Sequence, residues 1–167
     1  MRRLHLLIIA ATASALSAHA QARHAAAPLR FEQFPATPYT GPRHAPDYSG
    51  KARHYRAFRT FFREGFTKGR LFAGHYAVMG TGCGTNCSSW NIGDLTNGHI
   101  FDVPLGGEGN ANLQLDFRPD SRLMKAYWDT APDPTLASCD SADLVWNGAT
   151  FSQSVTRERP GACPRLP

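Results

Sequence analysis

DLTNGHIFDVP, residues 94–104, is the stretch on which the reading of the fold turns. Asn97-Gly98 best tolerates the positive φ angles of a tight hairpin turn, and it separates a run ending at Leu95 from a second run at 100–103. Strands joined that closely must run antiparallel. The same pattern extends both ways. Upstream, 71–79 and 88–95 read as strands; downstream, 113–117 and 123–128 flank the turn Arg118-Pro119-Asp120-Ser121, and 143–146 and 149–155 flank Asn147-Gly148. Gly106, Gly107 and Gly109 read as a flexible loop. The expected fold is therefore α+β, with six or seven strands in one antiparallel meander and a single helix before it.

That helix is expected over 49–64. Tyr55, Phe58 and Phe62 recur at helical spacing with Ala52 one turn earlier, Asp47 or Ser49 stands at the cap position, and Arg56, Arg59 and Arg63 form a neighbouring stripe. The aromatic face can pack on the sheet or lie on an anionic membrane, and a globular domain favours the first. Before the helix, residues 21–48 carry Pro28, Pro35, Pro38, Pro42 and Pro46, too closely spaced for helix or central strand. An extended arm is expected there, pinned by Phe31, Phe34 and Tyr39 and disordered before Phe31. Residues 1–20 have the form of a secretory leader: Arg2 and Arg3, an apolar run over 6–16, and Ala18-His19-Ala20 as the cleavage site, with Ala20-Gln21-Ala22 as an alternative two residues on. The apolar run falls short of the ~20 residues of a membrane-spanning helix. A periplasmic or extracellular location follows, with residues 49–167 as one α+β domain.

Charge is unevenly placed. Residues 21–70 hold ten Lys/Arg against three Asp/Glu, a net of +7, and residues 71–167 hold six against ten, a net of −4. Either the basic part attracts an anionic partner or it lies against the acidic part of its own chain.

Four cysteines in an exported chain point to two disulfides, and proximity pairs Cys83 with Cys87 and Cys139 with Cys163. In the chain-entropy account the first closure stabilises by ~2 kcal/mol and the second by ~3.5 kcal/mol. Three other readings of GTGCGTNCSSW (80–90) are available. It faintly resembles the nucleophile segment of papain-like proteases, but its cysteines are four apart, its tryptophan is not adjacent, and the one histidine beyond it, His99, is only twelve residues on. A redox pair needs C-x-x-C at a helix start, which is missing here. A zinc site would need His75, Cys83 and Cys87 with Asp94 or His99, against an oxidising compartment. No metal and no cofactor are expected.

His75, in FAGHY (72–76), is the side chain best suited to a site. Strand alternation would place it with Ala73 and Ala77 on one face, where it can line a pocket or hydrogen-bond within the fold. His75, Tyr76 and Asp94 are the candidate ligand-binding residues, and His75 is the candidate catalytic one.

FAGHY, GCGTNC, DLTNGHIFDVP and FRPDSRL, with the aromatic and basic helix, together resemble an uncharacterised family of small exported bacterial proteins over roughly residues 50–130. The resemblance implies an envelope or extracellular location and brings no activity. The expected function is a non-enzymatic binding or envelope module, inhibitor-like in size, whose partner is a protein or an envelope polymer rather than nucleic acid, with no stable membrane anchor after cleavage. The alternative is a small hydrolase or transferase using His75 with Asp94 or Asp102, Ser88 or Ser89 being conceivable nucleophiles.

Overall fold

The structure, a computed structural model, describes residues 27–130, 138–154 and 156–166. The expected leader at 1–20 and the first residues of the arm lie outside them. The described chain is mostly antiparallel β, with one α-helix and two disulfides, an α+β arrangement of the expected class. Its strands form two sheets instead of one meander. Sheet 1 runs in the order β1 (Arg70–Phe72), β2 (Tyr76–Gly84), β3 (Cys87–Asp94) and β4 (Ile100–Asp102). Sheet 2 runs β5 (Ala111–Phe117), β6 (Leu123–Asp129), β7 (Ser138–Trp146) and β8 (Phe151–Gln153), and β9 (Arg157–Pro160) pairs with β7 beyond β8. The register of β7 steps by one residue between its β8 and β9 ladders, Leu144 facing Gln153 and Ser141 facing Arg157. Ser154 fills the gap: its N–H donates to Asp143 O, and its hydroxyl accepts from Asp143 N. β8 and β9 thus pair with the same strand, β7, one residue out of register with each other.

Sheet 1 is the middle layer. Tyr76 and Val78 join a core shared with sheet 2, together with Ile92, Leu115, Met124 and Trp146, while Ala77 and Met79 face the helix and meet Phe62 and Phe66. Alternation along β2 thus produces two cores, which is why 76–79 is apolar throughout. The helix, α1 (Arg59–Lys68), comes later than its spacing predicts and is preceded by a nine-residue 3-10 run, Gly50–Phe58. It continues through Gly65 because glycine is needed there: a Cβ on Gly65 would lie 2.2 Å from Met79 Cγ, and one on Gly93 would lie 2.2 Å from Phe66 Cε2. These two bare positions let helix and sheet approach closely. The helix then ends at Gly69, and Arg43 of the arm donates from Nη1 to the carbonyls of Phe66 and Thr67 at 3.0 and 2.9 Å, satisfying two of its last acceptors. Phe58, expected in the core, is 61% exposed. At the change from three to 3.6 residues per turn it takes φ −110° and ψ 26°, which turns it off the Tyr55–Phe62 face.

FAGHY is not one continuous strand, since only Phe72 and Tyr76 belong to strands. Residues 73–75 are the turn between β1 and β2, with Ala73 at φ 46° and Gly74 at φ 88°. Alternation across it is broken, so the expected face shared by Ala73, His75 and Ala77 does not exist. The Asn97-Gly98 turn also differs in detail. Of the two, only Gly98 has positive φ, and the Asp94 carboxylate holds a wider loop before His99. The arm is ordered earlier than expected: Leu29 N–H donates to Asp143 Oδ2 at 2.9 Å, and Phe31 is buried. The 105–110 loop is fastened as well, Gly107 N–H donating to Ser88 O at 2.8 Å.

Both proximity pairings of the cysteines are present, Cys83 with Cys87 and Cys139 with Cys163. Gly93→Ala should lower stability by about 2 kcal/mol, because an aromatic ring cannot yield as a methionine does. Gly65→Ala should cost less, since helix propensity returns about 1 kcal/mol. Urea midpoints of the two variants test this, and a neutral Gly93→Ala would contradict the close approach. Replacing Cys139 and Cys163 together by serine should cost more than replacing Cys83 and Cys87, in the order of their loop lengths.

Candidate functional site

His75 and Asp94 do come together. His75 Nε2 lies 3.6 Å from Asp94 Oδ1, with the histidine side chain 32% exposed and the aspartate 8%. The carboxylate, however, already works as the anchor of its turn. Its Oδ1 accepts from the N–H and hydroxyl of Thr96 at 2.8 and 2.6 Å, and its Oδ2 accepts from Asn97 Nδ2 at 2.9 Å. The His75 carbonyl accepts from Leu95 N–H at 3.0 Å, so the histidine backbone holds the same turn. The imidazole packs at 4.3 Å from the Tyr76 ring and edge-on to Tyr39 at 6.2 Å. Tyr76 is buried, its ring edge-on to Trp146 at 5.3 Å. Burial pushes its phenol above the usual range, a weak contact from the Trp146 indole partly offsets this, and the Asp94 charge adds to it. That contact falls short of hydrogen-bond geometry, so the Trp146 N–H is buried without a partner.

Cys83 and Cys87 are bonded to each other at the far end of the β2–β3 hairpin and offer no thiolate to a substrate or a metal. Ser88 Oγ accepts from Trp90 Nε1 at 3.0 Å, and Ser89 Oγ lies 3.8 Å from Cys83 Sγ. His99 is exposed beside Phe101. Among the described residues no group of three or more His, Cys, Asp or Glu side chains is placed to hold a metal.

Asp102 goes elsewhere. It leaves the edge strand β4 toward the 3-10 run, where its Oδ1 accepts from Tyr55 OH and from Asn91 Nδ2, each at 2.7 Å. Burial pushes the Tyr55 phenol far up, and the hydrogen bond to Asp102 and that carboxylate's charge push it further. Tyr55 therefore remains a donor at neutral pH, and Oδ1 is fixed by two donors. Asp102 separates two hollows. One, of about 460 Å³, opens between the edge strands β4 and β8, with Tyr55, Phe101, Trp146 and Phe151 as aromatic walls and Lys51 and His54 on its rim. The other, of about 280 Å³, lies beside Trp90, Asn91 and the 105–107 loop. His75 lines neither. Phe101, Trp146 and Phe151 form a contiguous cluster, with ring centroids 5.1 and 4.8 Å apart.

Sequence reasoning named Asp102 only as a partner for His75 and missed the cleft. Two signals were available: Trp146 and Phe151 flank the Asn147-Gly148 turn as a cross-strand pair, and alternation in β4 sends Phe101 and Asp102 to opposite faces. What periodicity could not supply was the adjacency of β4 and β8, which belong to different sheets.

No family model, curated protein or solved structure matches the chain.

Tyr55 binds its proton more tightly in the fold than when unfolded. The stability it contributes is complete below the ordinary tyrosine value of about 10 and is lost as pH rises through the folded value. Tyr48, Tyr76 and Tyr127 shift the same way, so the test is a difference. Between pH 8 and pH 11 the wild type should lose more stability than Tyr55→Phe in urea titrations, and equal losses would remove Tyr55 from the account.

Proposed function

We propose that this is an exported, non-enzymatic binding domain that holds a saccharide polymer of the bacterial envelope in the two hollows flanking Asp102. The carrying observation is the fixed Asp102 carboxylate between two concave surfaces, one walled by Tyr55, Phe101, Trp146 and Phe151 and the other bearing Trp90. Sugar rings present C–H faces to aromatic side chains and hydroxyls to carboxylates and amides, and two adjoining hollows suit a chain of residues better than one small molecule. The disulfides support export, since such bonds persist in oxidising compartments, and no helix among the described residues is long and apolar enough to cross a membrane. The secretory form of residues 1–20 and the resemblance to small exported bacterial proteins support the same location.

A second reading, a small hydrolase or transferase using His75 with Asp94, is favoured by their 3.6 Å separation. Against it stands the engagement of both Asp94 oxygens in the turn, which holds the carboxylate in a structural role.

Titration with an oligomer of β-1,4-linked N-acetylglucosamine and with an acidic envelope polysaccharide, read by tryptophan fluorescence, separates the two readings. Phe151→Ala and Asp102→Ala should each weaken binding by roughly tenfold, the loss of one good contact, while His75→Ala leaves it within twofold. Binding lost in His75→Ala and retained in Asp102→Ala would overturn the assignment to the cleft. So would turnover of either polymer that disappears with His75.

A further inference from the structure

We propose that a row of arginines along the 3-10 run and the start of α1, with Phe58 among them, docks the domain on an anionic lipid surface. In a 3-10 helix residues three apart eclipse one another, so Arg53 and Arg56 fall in one file about 6 Å apart, and Arg59 and Arg63 carry the row on along α1, one α-turn apart. All four side chains are exposed. Among the described residues none of them pairs with a carboxylate; the ion pairs made by arginines are Arg118 with Glu32 and Arg157 with Asp143. The alternative, that the basic segment lies against the acidic half of its own chain, does not describe this file. Residues 50–68 hold six Lys/Arg against the single acidic Glu64. The opposite side of the segment is occupied, since Tyr55 and Phe62 pack on sheet 1. The cations therefore face outward, and aligned like charges repel one another until an anionic surface relieves them.

Phe58 decides which surface. Its two chain neighbours are Ala57 and Arg59, Arg56 is two residues away, and its ring is 61% exposed where the change of helix type turns it outward. A soluble polyanion would reward the cations and leave the ring in water. A lipid surface rewards both, because the ring enters the boundary between headgroups and acyl chains while the guanidinium groups meet phosphates. Lys51 and His54, on the rim of the cleft, belong to the same segment, so docking through the row would bring the cleft close to the membrane plane. The inference does not depend on what the cleft binds.

The test is co-sedimentation of the full chain, as secreted, with vesicles of phosphatidylcholine alone and of phosphatidylcholine containing about a quarter phosphatidylglycerol. Binding should require phosphatidylglycerol and weaken with salt. Arg53→Gln with Arg56→Gln should lower partitioning by roughly 20-fold, given about fivefold for each charge near the surface. Both positions are exposed, and an unchanged circular dichroism spectrum confirms that the variant folds. Phe58→Ala should lower partitioning severalfold, including at salt that screens the arginines. Undiminished binding by the double variant would overturn the proposal. So would a Phe58→Ala variant that binds like wild type while inorganic polyphosphate competes fully, which would assign the row to a soluble polyanion.

Discussion

A four-stranded and a five-stranded antiparallel sheet, with no hydrogen-bonded ladder between them among the described residues, must be held in fixed relation by something other than strand pairing. Here the core they share does much of this, and the backbone of one tight turn adds a fixed point. Ala73 and Gly74, in the β1–β2 turn, donate their N–H groups to the carbonyls of Arg118 and Pro119 in the β5–β6 turn, at 3.3 and 2.7 Å, and Gly74 O accepts from Tyr39 N–H of the arm at 2.8 Å. Sheet 1, sheet 2 and the arm meet at this point. The geometry needs positive φ at two successive residues and no side chain at the second, where a Cβ would stand 2.5 Å from Thr37 O. From there the arm follows the turns in order: Ala36 N–H donates to Asp120 O, His44 N–H to Leu95 O and Asp47 N–H to Gly98 O. Apart from a short 3-10 turn at Phe31–Gln33, its prolines keep it from forming regular structure of its own, so its remaining donors are free to satisfy the loops of the sheets.

With the sheets fixed, the helix has one place to go. Sheet 1 presents Ala77, Met79 and Leu95 on its outer face, and Gly65 and Gly93 set the distance at which Phe62 and Phe66 cover them. The preceding 3-10 run is shaped by this contact. Its repeat of three keeps Ala52 and Tyr55 toward the sheet and groups the arginines on another side. Tyr55 reaches Asp102 only because the run lies across the edge of β4. One packing decision thus positions the donor to the Asp102 carboxylate, the rim of the cleft and the exposed basic row.

Much of the secondary structure was legible, and for physical reasons. Turn chemistry at Asn147-Gly148 and at Pro119-Asp120 is local, and so is the proximity of Cys83 to Cys87. The aromatic spacing near Phe62 marked a helical segment. FAGHY was misread because its apolar residues alternate as a strand would, while the feature that breaks the strand, a positive φ at Ala73, is imposed by distant carbonyls at 118–119. The expected helix stopped at 64, one residue before Gly65, whereas α1 runs on to Lys68: a glycine's local cost is only about 1 kcal/mol, and close packing on the sheet requires one there. The number of sheets was not legible at all, since a period of two identifies a strand without saying which sheet it joins.

The two carboxylates of DLTNGHIFDVP show why a site is harder to read than a fold. Asp94 and Asp102 stand eight residues apart in one hairpin, and nothing in their immediate sequence ranks them. Their neighbours in space do. Asp94 engages both its oxygens with Thr96 and Asn97, donors from its own turn, and this commits the group nearest His75 to holding that turn. Asp102 receives its donors from Tyr55 and Asn91, which lie outside its own strand, and both bonds fall on one oxygen. A carboxylate anchored through one oxygen keeps acceptor capacity on the other, at a surface where two hollows meet. That difference moves the site from the histidine to the edge between the sheets.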